Sequence, residues 1–299
     1  MRTARAGDAL RRVASEVVVV GDIGHNTEWS HALNGIDTVI HLAGRAHVIR
    51  DRSTDPLAEF REVNVRGTLR LAEQAASNVR RFVYLSSIGV HGTRTADAPF
   101  SGSSPVAPTE SYAISKYEAE QALWSVAGSN KLEVVVVRPP LVYGPNCPGN
   151  FRRLLRLADS GIPLPFASIR NARSFIYVDN LVSALEMCAE QSRARGRTYL
   201  VDDGLAVSTP DLVRALAALL RRKTVLFPCP VPILSLIGRA TGQSAAMSRL
   251  TDSLQIDGSA IRTELGWRPV CPMSEGLKQT VHWYRTLTVW PSASDRYDG

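Results

Sequence analysis

The chain has 299 residues, of which 44% are hydrophobic and 21% are charged, as is usual for a globular protein with one large or two modest domains. The formal net charge of +7 comes from scattered arginines, and no basic run is long enough for a nucleic-acid-binding arm. No apolar stretch reaches the ~18 residues of a membrane span, and Met1 is not followed by the apolar core of a signal peptide. Four widely spaced cysteines without a Cys-x-x-Cys pattern argue against zinc and a disulfide framework. We therefore expect a soluble cytoplasmic protein without a metal site.

Short apolar runs alternate with helical stretches in the first half of the sequence. Continuous hydrophobicity, typical of buried parallel strands, predicts strands at residues 16–20, 38–42, 82–86 and 132–138. One helix begins with Asp55 as N-cap and Pro56 at its first position, and a second covers about 111–126. This order predicts an α/β fold with a doubly wound parallel sheet, which binds ligands at the carboxyl ends of its strands.

Prolines and glycines punctuate the chain more heavily after Arg138. Further strands are predicted at 175–178 and 198–201, and helices are predicted from Thr209 to Leu220 and from about Ser274. A polar tail follows from Pro291. We find no internal repeat and no low-complexity segment.

The pattern that points most directly to chemistry is Tyr112 followed four residues later by Lys116. This spacing places both side chains on one helix face, where an ammonium can lower the pKa of a phenol from about 10 toward neutrality. Ser87 follows a predicted strand and offers a second hydrogen bond to the same substrate oxygen. Such a pattern arises by chance on solvated helices, but the chain has only four lysines. The three residues predict proton transfer for the interconversion of an alcohol and a carbonyl.

The sequence lacks the glycine-rich turn on which hydride carriers usually rest their pyrophosphate. The nearest candidate comprises residues 21–24, where Asp22 would place a carboxylate beside the phosphates. Two alternatives remain: the glycine turn lies upstream of Met1, or the chain holds its cofactor in another way. We expect the first, with a truncated start that lacks one βαβ unit of about 30 residues.

The chain resembles the extended short-chain dehydrogenases/reductases of the nucleotide-sugar epimerase/dehydratase kind. Besides Ser87 and the Tyr112–Lys116 pattern, the motifs that carry the resemblance are residues 39–44 (VIHLAG), 64–68 (NVRGT), 86–92 (SSIGVHG), 138–145 (RPPLVYGP), 149–151 (GNF), 173–180 (RSFIYVDN) and 264–269 (ELGWRP). The resemblance as a whole runs from about Val17 to Trp283.

The resemblance implies NAD as cofactor, with NADP as the alternative, and a set of residues around it. Catalysis is assigned to Ser87, Tyr112 and Lys116. Cofactor binding is assigned to Asp22, Ile23, Leu42, Ala43, Gly44, Asn64, Tyr112, Lys116 and Pro139. Substrate binding is assigned to Ser87, Asn150, Arg173 and Arg249, although Asn150 has the alternative role of capping the helix over 151–157.

The resemblance also implies an organisation into domains. Residues 1–142 with 175–203 form the Rossmann-like cofactor domain, and residues 143–174 with 204–290 form a smaller C-terminal α/β domain for substrate. Residues 291–299 are a tail. A homodimer through the helices around 55–77 and 111–127 is the expected assembly.

Three functions follow from the resemblance. A 4,6-dehydratase usually carries an acidic pair directly after the catalytic serine, where this chain has Ile88 and Gly89. The first expectation is therefore a 4-epimerase acting on a UDP-hexose or UDP-N-acetylhexosamine for surface polysaccharide synthesis. A 4-ketoreductase of a UDP-4-keto-6-deoxy-N-acetylhexosamine uses the same three residues and stays open. A degenerate, non-catalytic binding protein is the third alternative.

Overall fold

A computed structural model describes residues 13–46 and 53–289 of the chain. The strands are β1 (Thr38–His41), β2 (Arg81–Leu85), β3 (Glu133–Arg138), β4 (Leu141–Tyr143), β5 (Phe175–Tyr177) and β6 (Thr198–Leu200). The α-helices are α1 (Pro56–Arg61), α2 (Gly67–Ala75), α3 (Ser111–Ser129), α4 (Gly149–Asp159), α5 (Val178–Glu190), α6 (Thr209–Leu220), α7 (Val231–Ala240), α8 (Ser244–Thr251), α9 (Ser259–Glu264) and α10 (Met273–Val289). No helix in these two described ranges is long and apolar enough to cross a membrane.

The main sheet has four parallel strands in the order β1-β2-β3-β6. Its central strands carry side chains into both faces. Phe82 and Tyr84 of β2 lie in one apolar cluster with α2 and α3, whereas Val83 lies in a second cluster with α5. Helices therefore cover both faces of the sheet, and the prediction of a doubly wound, Rossmann-like α/β fold is confirmed.

A second layer surrounds the short parallel pair β4-β5. The rings of Tyr143 and Phe151 stack with centroids 5.2 Å apart, and Phe175 meets both rings edge-on. Residues of α4, α6 and α10 complete this cluster. The exact division into two domains stays a prediction.

The predicted strand at 16–20 is wrong. These residues form neither strand nor helix, and Val19 is exposed. Hydrophobic continuity indicates that a segment can be buried, but a strand also needs a hydrogen-bonded neighbour in register. The first strand found in the described part of the chain is β1.

The helix predicted from Asp55 begins as expected but is not continuous. The Asp55 carboxylate accepts a hydrogen bond of 3.0 Å from the Ala58 backbone N–H, and Pro56 opens α1. Residues Glu62–Arg66 then form a π-helical turn before α2 begins. Such π turns are rare and are often found at functional sites. This one contains Asn64.

Candidate active site

Ser87 lies just beyond the carboxyl end of β2 and is half-buried. Its hydroxyl accepts a hydrogen bond of 3.1 Å from the Gly89 N–H and so caps a short 3-10 turn over Ile88–Val90. The Ile88 N–H donates to the Pro139 carbonyl at 2.9 Å, which ties this turn to the segment after β3. A Cβ placed at Gly89 would lie 3.3 Å from the Ala113 Cβ. The serine turn therefore packs directly against the helix that carries Tyr112.

Lys116 is buried on α3, one helical turn after Tyr112. Its Nζ donates to the Leu85 carbonyl at 2.8 Å and lies 4.5 Å from the ring centroid of Tyr84 and 6.0 Å from that of Tyr112. Burial lowers the pKa of Lys116 to about 8, against the opposing effect of the Glu120 charge.

The predicted direction of the Tyr112 pKa shift is wrong for the protein without bound ligands. Burial raises the pKa of its phenol to about 12, whereas the Tyr-x-x-x-Lys spacing predicts a lowered value. The physical reason is that burial penalises the charged phenolate; Lys116 donates to the Leu85 carbonyl, and no hydrogen bond in the described part of the chain joins it to the Tyr112 hydroxyl. Tyr112 is therefore protonated at neutral pH in the chain alone.

Asn64 joins the loop after β1 to helix α3. Its Oδ1 accepts from the Arg45 N–H at 2.7 Å, and its Nδ2 donates to the Arg45 carbonyl at 3.1 Å and to the Ser115 Oγ at 2.9 Å. The side chain is buried. The π turn places Asn64 in the position from which it reaches both partners.

Gly44 is exposed beside these groups. A Cβ added to it would lie 2.9 Å from the Asn64 Oδ1 and 3.5 Å from the Lys116 Nζ. Leu42 and Ala43 are exposed as well, so the backbone after β1 forms an accessible surface next to Lys116. These residues fit the assignment of this loop to a dinucleotide, whose backbone approach requires small residues at the carboxyl edge of the sheet.

The loop with Asp22 and Ile23 packs against the start of α2. A Cβ at Gly67 would lie 2.5 Å from the Ile23 Cγ2, and His25 donates its backbone N–H to the Glu62 carboxylate at 3.0 Å. No helix begins after this turn, so residues 21–24 offer no helix N-terminus to a phosphate.

A buried charged cluster lies beside the candidate catalytic residues and was not predicted from the sequence. The Glu120 carboxylate accepts hydrogen bonds from the Ser86 hydroxyl and from the Arg138 guanidinium, with an Arg138 Nε–Glu120 Oε1 distance of 3.0 Å. Arg138 also donates to the His91 Nε2 at 2.8 Å, and the His91 Nδ1 donates to the Pro105 carbonyl at 3.0 Å. The sequence signal that could have revealed it was the position of Glu120, four residues after Lys116 on the same helix face.

Each member of this cluster adjoins a residue of the site. Ser86 precedes Ser87, Arg138 precedes Pro139, and Glu120 follows Lys116 by one helical turn. Burial, together with the nearby charge of Arg138, lowers the pKa of His91. The cluster therefore fixes three site segments relative to one another.

Two arginines converge near the start of α3. The Arg173 Nη1 donates to the Asp252 carbonyl at 2.8 Å, and burial, together with repulsion from Arg249, lowers the pKa of Arg173 to about 10. Arg249 pairs with Glu110, two residues before Tyr112, at 2.5 Å. Two cations that repel each other suit an anionic ligand.

Asn150 is the second residue of α4, and its predicted capping alternative is wrong. Pro148 occupies the N-cap position, and no side-chain hydrogen bond caps this helix. No hydrogen bond within the described ranges joins Asn150 to Ser87, Tyr112 or Arg173. Its substrate role stays a prediction.

Comparison with known proteins shows which family the chain is similar to. A sequence profile of the NAD dependent epimerase/dehydratase family matches residues 2–201. The chain is 43% identical over 264 residues to a UDP-glucose 4-epimerase of Vibrio cholerae, covering 87% of this chain and 80% of that protein. It is 29% identical over 297 residues to a dTDP-glucose 4,6-dehydratase of Xanthomonas campestris pv. campestris, covering 94% and 82%. Among solved structures, MoeE5 in complex with UDP-glucose and NAD is similar, with a TM-score of 0.69, 27% identity and coverage of 90% and 85%.

Proposed function

The chain belongs to the NAD-dependent epimerase/dehydratase family, and we propose that it is a 4-epimerase of a UDP-hexose or UDP-N-acetylhexosamine. The observation that carries the proposal is the environment of the two residues after Ser87. Ile88 is buried in an apolar cluster, and a Cβ added to Gly89 would lie 3.3 Å from the Ala113 Cβ. Neither position holds the acid or base that the elimination of water needs, which favours epimerisation over dehydration.

The geometry assigns a role to each of the three central side chains. Tyr112 holds the proton that is exchanged with the sugar 4-oxygen, and Ser87 donates a hydrogen bond to the same oxygen as its charge changes. For Tyr112 to accept a proton, the nearby Lys116 ammonium has to stabilise the phenolate, because burial alone opposes that charge. NAD, held by the loop around Gly44 and by Asn64 and Lys116, would supply hydride acceptance and return. Arg173 and Arg249 would hold the substrate diphosphate.

The proposal is tested with the purified 299-residue protein, UDP-glucose and a catalytic amount of NAD. We expect proton NMR to show conversion to the 4-epimer, with no net change in the amount of NADH. The N-acetylated substrate, run in parallel, identifies the preferred sugar. Accumulation of a 4-keto-6-deoxy sugar would contradict the proposal and establish a dehydratase.

The 4-ketoreductase alternative uses the same side chains and is separated by its stoichiometry. A reductase would consume one equivalent of NADH or NADPH for each UDP-4-keto sugar and would leave UDP-glucose unchanged. The intact set of Ser87, Tyr112 and Lys116 disfavours the non-catalytic alternative.

A further inference from the structure

Helix α7 presents an apolar stripe to solvent. Ile233, Leu236 and Ile237 are 49%, 65% and 47% exposed, and their spacing places them on one helix face. The other face is also apolar: Leu234 and Gly238 are buried, and a Cβ at Gly238 would lie 2.9 Å from the Met247 Cβ of α8. A surface helix of a globular protein normally turns polar residues outward, so this outward face is unusual.

The extended segment before α7 adds two more exposed apolar side chains. Val225 and Phe227 are 58% and 43% exposed. The Leu164 N–H donates to the Val225 carbonyl at 2.8 Å, and the Phe227 N–H donates to the Leu164 carbonyl at 3.0 Å. Alternate residues of an extended segment point the same way, so both side chains project from one side. We call these two residues, with Ile233, Leu236 and Ile237, the 225–237 surface.

The segment that carries this surface holds charges of one sign. Residues 212–251 contain no Asp or Glu, although 28 of the 299 residues are acidic and about four would be expected in a segment of this length. The same segment holds six basic residues, namely Arg214, Arg221, Arg222, Lys223, Arg239 and Arg249. Three of them, Arg221, Lys223 and Arg239, are exposed and form no ion pair with any residue in the described ranges.

We propose that the 225–237 surface, with Arg221, Lys223 and Arg239, attaches the protein to the surface of an anionic lipid bilayer. Helix α7 has ten residues and is about 15 Å long, half of the ~30 Å apolar core, so it would lie in the plane of the interface. Aliphatic side chains and Phe227 would enter the acyl boundary while the cations meet lipid phosphates. Exposed cations beside an apolar face favour an anionic lipid surface as the occupant, because each cation near such a surface adds to binding.

The test is co-sedimentation of the 299-residue protein with vesicles of phosphatidylcholine alone, or with phosphatidylglycerol as about one lipid in three. We expect binding to the anionic vesicles that weakens as salt is raised. The apolar variant Leu236→Ser with Ile237→Ser should bind at least about tenfold more weakly. Its matched control, Leu205→Ser with Val270→Ser, changes residues that are 69% and 65% exposed elsewhere and should bind as the wild type does.

A charge variant and its control complete the design. Arg221→Gln, Lys223→Gln and Arg239→Gln together should weaken binding about tenfold or more, since each basic residue near an anionic surface contributes measurably. Removing three exposed arginines elsewhere should have little effect: Arg94, Arg193 and Arg268. All variants should keep the wild-type catalytic rate in solution, because none of these residues lies in the site.

Three results would overturn the proposal. One is the absence of wild-type binding to anionic vesicles. Another is an equal loss of binding in the charge control, which would indicate attraction by net charge alone. The third is a wild-type dimer in analytical ultracentrifugation that the apolar variant dissociates, without vesicle binding, which would assign the surface to a second copy of the chain.

Discussion

The Lys116 ammonium donates its hydrogen bond to the Leu85 carbonyl, at 2.8 Å. The lysine thus connects helix α3 to the end of β2, two residues before Ser87, and lies over the ring of Tyr84. Lys116 therefore connects two elements of the candidate site and also lies near the ring of Tyr112. The charge of Lys116 and the position of the serine turn are therefore coupled.

Replacing Tyr112 by Phe should lower kcat by at least about 10²-fold, because the substitution removes the hydroxyl that holds the exchanged proton. The fold should be unaffected, since this hydroxyl forms no hydrogen bond with another protein group in the part of the chain that the structure describes. Steady-state kinetics and a thermal melt measure both. Tyr117→Phe, on the same helix, is the matched control and should keep its rate. A Tyr112→Phe enzyme with near-wild-type turnover would remove Tyr112 from the mechanism.

The buried Lys116 makes the free energy of unfolding depend on pH in the alkaline range. Its folded pKa of about 8 lies below the ordinary 10.5, so between these values the unfolded chain binds more protons than the folded chain. Stability therefore rises with pH through this window. Relative to Lys116→Met, the wild type should gain up to about 3 kcal/mol between pH 7 and 10.5. Urea unfolding of both proteins across this range measures the gain, and parallel curves would contradict the buried ammonium.

Asn64→Ala should weaken cofactor binding. The substitution removes three hydrogen bonds that hold the loop after β1 against α3, and it should cost about 1–3 kcal/mol of stability. If that loop holds NAD, its Kd should rise about tenfold or more, which isothermal titration calorimetry measures. Asn34→Ala changes an exposed asparagine and serves as control. Lost stability with an unchanged Kd would separate this loop from the cofactor.

The buried pair of Glu120 and Arg138 should be far more sensitive than an exposed pair on the same helix. Glu120→Gln leaves the Arg138 guanidinium buried without its counter-charge and should cost about 3–5 kcal/mol of unfolding free energy. Glu118→Gln removes the exposed pair with Arg61 and should cost at most about 1 kcal/mol. The double variant Glu120→Leu with Arg138→Met should lose less stability than the sum of the losses of Glu120→Leu alone and Arg138→Met alone. Additive losses would argue against direct coupling.

Arg173→Leu should raise KM by about one to two orders of magnitude if this guanidinium binds the substrate diphosphate. The effect on kcat should be smaller, because diphosphate binding is shared by the ground state and the transition state. Arg170→Leu, three residues earlier and exposed, is the control. An unchanged KM, or comparable activity on a sugar without its nucleotide, would contradict the assignment.

The sequence predicts the elements whose cause is local. Strands β2 and β3 follow from unbroken apolar runs, and α1 begins where Asp55 and Pro56 indicate. Elements that depend on distant partners were missed. The segment at 16–20 has the composition of a strand without becoming one, and the π turn around Asn64 reflects contacts with Arg45 and Ser115 that no local pattern encodes.

The same distinction applies to the candidate site. The spacing of Tyr112 and Lys116 follows from helix geometry, and the structure places both on α3 as predicted. The direction in which Lys116 donates depends on the end of β2, which lies 31 residues away in sequence. The ion pair of Glu120 with Arg138 likewise joins a helix to a strand, so neither arrangement could be predicted from spacing alone.

Helix α3 carries Tyr112, Ser115, Lys116 and Glu120 within about two and a half turns, or about 12 Å along its axis. Through these side chains it supports the loop after β1, the end of β2 and the end of β3. A helix moves nearly as a rigid rod, so a shift of α3 displaces its contacts with all three segments in concert. The candidate site is therefore held together by a single helix. A ligand that restrains any one of these three segments also restrains the other two.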